Sequence, residues 1–109
     1  MTKADRYERL RAIGCLCCIQ NAAGEKYLAP LFPVEIHHLN GGGHHGQKRR
    51  GDLFTIPLCS WHHRGEGPAK EYTERFGPSW AKGSKPFRAE YGTDDELLAA
   101  ANLMIGVKA

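Results

Sequence analysis

The 109-residue chain has no apolar run approaching the ~18 residues that a membrane-spanning helix needs. Its first residues, Met1 to Arg11, are charged and hold no apolar stretch of the kind a secretory leader carries. We therefore expect a cytoplasmic protein with no membrane association. Internal repeats are lacking, and so is any sign of a second domain. Neither charge dominates: 15 Lys and Arg face 12 Asp and Glu, a net charge of +3 with an isoelectric point near 8.7. That mild excess favours a polyanionic partner without identifying one. The length suits one domain with one modest core. Thirteen glycines make that domain loop-rich, and small loop-rich domains often need a staple.

What is plentiful is cysteine and histidine, four and six respectively. Disulfides are disfavoured in a reducing cytoplasm, so the cysteines are expected as metal ligands or buried thiols.

Ala4 to Ile13 reads as a short helix with Tyr7, Leu10 and Ile13 on one face and Gly14 as its stop. Asn21 to Gly24 has the composition of a turn. Val34 to His38 has strand character: Val34, Ile36 and His38 share one face, Glu35 and His37 the other. Asn40 to Gly46 is a Gly-rich loop, followed by the basic step Lys48-Arg49-Arg50. Leu53 to Leu58 is a second short strand with Pro57 at its end. Cys59 to Arg64 opens a helix, and Pro68 to Phe76 forms another. Trp80 to Tyr91 reads as irregular and basic. Thr93 and Glu96 form a capping box for a last helix reaching about Ile105, with Leu97, Leu98, Ala101, Met104 and Ile105 as its apolar stripe. The fold class expected is α+β, with an N-terminal helix over residues 1–14 and the remaining domain over 15–109.

Cys15-x-x-Cys18 and Cys59-x-x-His62 are two metal-knuckle spacings. A tetrahedral zinc takes four nitrogen or sulfur ligands, and a two-residue gap lets both members of a pair face one ion. Cys17 could replace either neighbour as ligand or be a buried thiol, which is the reading favoured here. Packing alone gives no reason for the paired spacing.

The histidines fall in adjacent pairs: His37 and His38 on a strand, His44 and His45 in the Gly-rich loop, His62 and His63 at a helix start. Neutral imidazole is a common metal ligand, and its ordinary pKa near ~6.5 suits a general base at neutral pH. Adjacent residues of an ideal strand point to opposite faces, so a shared site for His37 and His38 calls for a twist or bulge.

The order Cys-x-x-Cys, Val-Glu-Ile-His-His-Leu, a Gly-rich loop, Leu-Phe-Thr-Ile-Pro-Leu, then Cys-x-x-His-His resembles the HNH, or ββα-metal, nuclease motif. The longer stretches Ile36-His-His-Leu39, Gly41-Gly-Gly43 and Arg50-Gly-Asp-Leu-Phe-Thr-Ile-Pro-Leu-Cys-Ser-Trp-His-His-Arg-Gly65 resemble the phage recombination-enhancement (Ref) proteins, RecA-dependent DNA nucleases. The likeness spans about residues 15–105 and is specific over 34–65. It implies a zinc-stabilised ββα-metal core with flanking helices. His38 would be the general base, and His37 and His63 the ligands of a catalytic divalent metal. Mg²⁺ is the abundant choice; Mn²⁺, Ni²⁺ or Zn²⁺ also suit imidazole. Cys15, Cys18, Cys59 and His62 would hold a structural Zn²⁺. The motif's middle Asn orients the base; the nearest candidate here is Asp52. Lys48, Arg49, Arg50 and Arg64 would hold phosphates. The implied partners are DNA and a RecA filament, and the implied setting is a bacterial cell harbouring a phage or prophage, with a monomeric enzyme. Lys82, Lys85 and Arg88, interleaved with Trp80 and Phe87, could grip single strands, though such aromatics are more often core residues. The competing readings are a non-catalytic zinc module that binds DNA or a recombinase, and a metal-storage protein using all six histidines.

Overall fold

The computed structural model describes residues 1–39, 51 and 53–107. Its elements in chain order are helices α1 (Lys3–Ile13) and α2 (Leu16–Gly24), strands β1 (Val34–His38) and β2 (Thr55–Cys59), helices α3 (Ser60–Arg64) and α4 (Ala69–Phe76), a 3₁₀ turn (Trp80–Lys82), and helices α5 (Ser84–Tyr91) and α6 (Asp94–Ile105). The α+β class therefore holds.

The two strands pair antiparallel, with Val34 opposite Cys59, Ile36 opposite Pro57, His37 opposite Ile56 and His38 opposite Thr55. Pro57 lies in the middle of β2, not at its end as expected. A two-stranded ladder uses the inner N–H of every second residue, so a proline is tolerated where its nitrogen faces the outer edge. Every residue of β2 is buried, because α1, α2, α3 and α6 all pack against it. β1 is half-buried apart from His37, with α1 and α3 beside it. Among the described residues no third strand joins the sheet, so the outer edge of β1 has no ladder partner. This is the strand that carries the histidine pair.

The core gathers Leu10, Leu16, Leu39, Ile56, Leu58, Trp61, Phe87, Leu97 and Ala101 from every layer. Thr93 and Glu96 close a reciprocal box at the start of α6, as the sequence suggests, and Thr2 with Asp5 forms a second such box at the start of α1, which the sequence reading did not name. Three expectations need correction. Asn21 to Gly24 is the last turn of α2, held helical because Asn21 is buried and its amide donates to the carbonyls of Leu28 and Phe76. Residues 80–91 are ordered: Phe87 and Tyr91, four apart, bury one face of α5, and Pro86 falls in its first turn, where a proline costs little. Met104 is 46% exposed, so the stripe of α6 is Leu97, Leu98, Ala101 and Ile105. On α1 the buried residues are Leu10 and, against its charge, Arg6, while Tyr7 and Ile13 are half-buried.

Candidate metal centre and active site

Two clusters of histidine-containing side chains flank α3, and among the described residues the first alone forms a group that could hold a metal ion. The first is fully inside. Cys15 caps α2 and Cys18 lies in its first turn, while Cys59 caps α3 and His62 lies one turn later, so two helix starts converge. All four residues are buried, and their ligand atoms lie within 4.8 Å of one another. Individual separations are 3.2 Å from Cys59 Sγ to His62 Nδ1, 3.6 Å from Cys15 Sγ to the same nitrogen, and 3.9 Å from Cys18 Sγ to Cys59 Sγ. A tetrahedral zinc with ordinary bond lengths has ligand–ligand edges of roughly 3.5–3.8 Å, so the donor set and its spacing fit that ion.

The surroundings fix which nitrogen of His62 would bind. Its Nε2 is 2.7 Å from the carbonyl of Phe76, an acceptor only, so Nε2 carries the hydrogen and Nδ1 turns its lone pair to the sulfurs. The Phe76 carbonyl also accepts from the Asn21 amide and the Tyr91 hydroxyl, which ties α2, α4 and α5 to the centre. Gly77, at φ +88°, turns the chain here; a β-carbon would collide with the Tyr91 hydroxyl. Burial alone would depress the His62 imidazole, but without an ion its hydrogen bonds to Cys15 and Cys59, with their negative charge, outweigh burial and push it up to about 9. Cys15 is held well below its ordinary value: burial opposes this, and the hydrogen bonds of Cys17, Cys18, Cys59 and His62 overcome it. Cys18 is pushed the other way, up from its ordinary value by its hydrogen bonds with Cys15 and Cys59, so without an ion the cluster keeps a thiol beside the thiolate, and a bound cation would displace that proton. Cys17 is fully buried, burial raises its thiol well above the ordinary value, and it stands outside the four-residue set. None of the four cysteines forms a disulfide.

The second cluster lies across β1 from α1. His37 and Glu35 project toward α3, as strand alternation requires. The His37 and His63 rings meet edge to face with centroids 5.0 Å apart, and Trp80 packs on His37 at 4.7 Å. His63 Nδ1 is 2.9 Å from Glu35 Oε1, so in the neutral ring the N–H donates there and the lone pair is on Nε2. Arg64 braces Glu35 in turn, its Nε 2.8 and 3.0 Å from the two carboxylate oxygens. These Arg64 hydrogen bonds, opposed by burial and helped by His63, hold the Glu35 carboxyl below its ordinary range. His38 leaves β1 on the opposite face. Its Nε2 is 2.9 Å from the hydroxyl of Tyr7 on α1.

The structure thus joins Cys15, Cys18, Cys59 and His62 in one group and His37 with His63 in another, with His38 on the next position of the strand. Arg64 engages Glu35 and Glu66, and more than half of its side chain is exposed. Asp52, Lys48, Arg49, Arg50, His44 and His45 lie outside the described residues. Sequence reasoning gave Glu35 no role, read Trp80 as a stacking or core residue and not as a neighbour of His37, and missed the contact of Tyr7 with His38. Glu35 alone had a local signal, since strand alternation put it on the face of His37.

No helix among the described residues is long and apolar enough to cross a membrane. A comparison with curated proteins returns no match. The family model described as recombination enhancement, RecA-dependent nuclease, matches residues 2–106, and the chain belongs to that family.

Proposed function

We propose that the chain is a metal-dependent DNA endonuclease of the HNH type, acting with a RecA filament in phage or prophage recombination in the bacterial cytoplasm. The observation that carries this reading is the pairing of His37 with His63, with Glu35 fixing the tautomer of His63 and His38 next along the same strand. Two imidazoles in ring contact support an open two-histidine site, in which a catalytic metal would keep positions for water and phosphate, whereas the Cys15, Cys18, Cys59 and His62 set offers four ligands, as a closed structural zinc site does. The β1–β2–α3 succession supports this reading, since the motif calls for two strands followed by a helix.

His38 takes a proton from water, the water oxygen bonds to phosphorus, and the bond from phosphorus to the 3′ oxygen breaks. The products are a 5′-phosphate and a 3′-hydroxyl, the latter protonated from solvent. His37 and His63 would hold a divalent metal, Mg²⁺ or else Mn²⁺, Ni²⁺ or Zn²⁺, which would supply positive charge against the charge that grows on the phosphate and leaving oxygen. Asp52 is assigned to orient His38. Lys48, Arg49, Arg50 and Arg64 are assigned to the phosphate backbone, where they position the duplex without reading sequence. The substrate strand lies along the outer edge of β1, reached by His38 from one face and His37 from the other.

The test is nicking of supercoiled plasmid and of RecA-paired DNA, each with Mg²⁺ or Mn²⁺. His38→Ala should lower the rate about 10² to 10⁴-fold with zinc content and DNA affinity intact, because a base acts only in the transition state. His63→Ala should also stop cutting, but high metal concentration should partly restore it. If the wild-type protein cuts nothing under any of these conditions, the chain is a zinc-stabilised binding module instead.

A further inference from the structure

Helix α1 buries Arg6 and Leu10 and turns a different face outward, where Lys3, Tyr7 and Arg11 follow one another at helical spacing. Lys3 and Arg11 are exposed, and Tyr7 is half-buried between them. Arg6 holds that face in place. It is 1% exposed. Its Nε donates to Thr55 Oγ1 at 2.8 Å, and its terminal nitrogens donate to the Thr55 carbonyl at 2.7 Å and Asn102 Oδ1 at 2.8 Å. Thr55 is the register partner of His38, so α1 is fastened to the rung that carries the histidine. The cations of Lys3 and Arg11 lie 5.6 and 5.8 Å from the centroid of the Tyr7 ring. An aromatic face attracts a cation through its quadrupole and has no net charge, so this contact orients the two cations without neutralising them. With Ala4 and Glu8, these three side chains line an open groove of about 550 Å³. The groove reaches His38 through Tyr7, whose hydroxyl is 2.9 Å from His38 Nε2.

We propose that this groove binds the DNA backbone, with Lys3 and Arg11 each holding a phosphate of the strand that passes His38. The proposal rests on the nuclease reading and names a surface that carries the strand to its site. Two cations against one carboxylate give the groove the sign a polyanion needs. Cations already oriented on a ring lose less freedom when a phosphate arrives, which favours binding. Continuity with His38 selects DNA over other polyanions, because a strand lying here has its next phosphates beside that histidine. Contacts of this kind set the register of the strand and read no sequence.

The test is fluorescence anisotropy of a labelled short duplex over a range of salt, without added divalent metal so that nothing is cut. Lys3→Ala combined with Arg11→Ala should weaken binding about 10-fold at ~0.1 M salt and lower the slope of log K against log salt by about 1.8, since each lost phosphate contact removes about 0.9. Lys70→Ala combined with Arg75→Ala, on α4, removes the same charge from outside the groove and should leave affinity and slope at wild-type values. Glu8→Gln removes a carboxylate from the lining and should tighten binding by a few-fold, the size expected of one exposed charge pair. If the Lys3 and Arg11 variant binds like wild type, or the α4 variant loses as much, the groove holds no phosphate while the nuclease reading stands. A polyglutamate peptide that binds the groove more tightly than the duplex does would make it a protein-docking surface and overturn the DNA assignment. If the wild-type protein neither binds nor cuts DNA, the nuclease reading falls and this proposal with it. Glu8→Gln gives an answer even if the double variant does not fold: unchanged or weaker binding overturns the proposal.

Discussion

At the scale of single residues, the local pattern revealed the metal chemistry and hid its supports. The pairs Cys15 and Cys18, Cys59 and His62 carry their spacing in the sequence, and the alternation of β1 sets Glu35 and His37 apart from His38. Arg6 and Tyr7 were illegible because their partners lie 49 and 31 residues away, and no local periodicity encodes such contacts. Arg6 is the extreme case. Burial pushes its guanidinium below the usual range, yet an arginine stays charged, and it donates to the neutral oxygens of Thr55 and Asn102. Replacing it with methionine keeps much of the volume and removes these donors from Thr55 and Asn102. We expect Arg6→Met to cost about 3 kcal/mol in a urea titration, since bonds to a charged donor and buried acceptors left behind both count. A loss under about 1 kcal/mol would show that hydrophobic packing alone can hold α1 in place.

At the scale of elements, helix ends were more legible than short helices and strand centres. The capping box of α6 is written in four consecutive residues, Thr93 to Glu96, and it forms as written. α5 was missed because its basic, proline-containing sequence has weak helical character, and the burial of Phe87 and Tyr91 decides the matter. The α6 cap also yields a pH prediction. Hydrogen bonds from the Thr93 backbone and side chain hold the Glu96 carboxyl below its ordinary value of 4.5. A carboxyl depressed by folding stabilises the native state above its unfolded pKa and loses that contribution as pH falls through the folded one. The difference in urea midpoint between the wild-type protein and Glu96→Ala should therefore be constant from pH 8 to about 5 and narrow below 4.5. Zinc ligands also protonate in acid, but they do so in both proteins, so the difference isolates Glu96. A gap that widens on acidification would mean that Glu96 caps α6 as a neutral group.

At the scale of the molecule, the buried cluster of Cys15, Cys18, Cys59 and His62 is the joint through which the parts reach one another. Cys15 and Cys18 come from α2, Cys59 from the end of β2, His62 from α3, and the Phe76 carbonyl behind His62 collects α4 and α5 through Asn21 and Tyr91. The catalytic candidates sit on the same frame, because His63 follows His62 on α3 and β1 pairs with the strand that ends in Cys59. Structural zinc sites in small domains bind with apparent free energies of roughly 10–16 kcal/mol, comparable to or above the ~5–15 kcal/mol net stability of a whole domain. Loss of the ion should therefore unfold the chain, not merely silence it. Purified protein should hold about one zinc per chain without added metal. A strong chelator should abolish helical circular dichroism and cutting together. Cys59→Ser should be insoluble or unfolded, while Cys17→Ala should keep its zinc and its fold, since Cys17 stands outside the four-residue set. Chelated protein that kept its native spectrum but lost activity would move the ion from the fold to the reaction. Zinc-free, folded and active protein would remove it from both, and the paired knuckles would then be buried thiols whose spacing has no role.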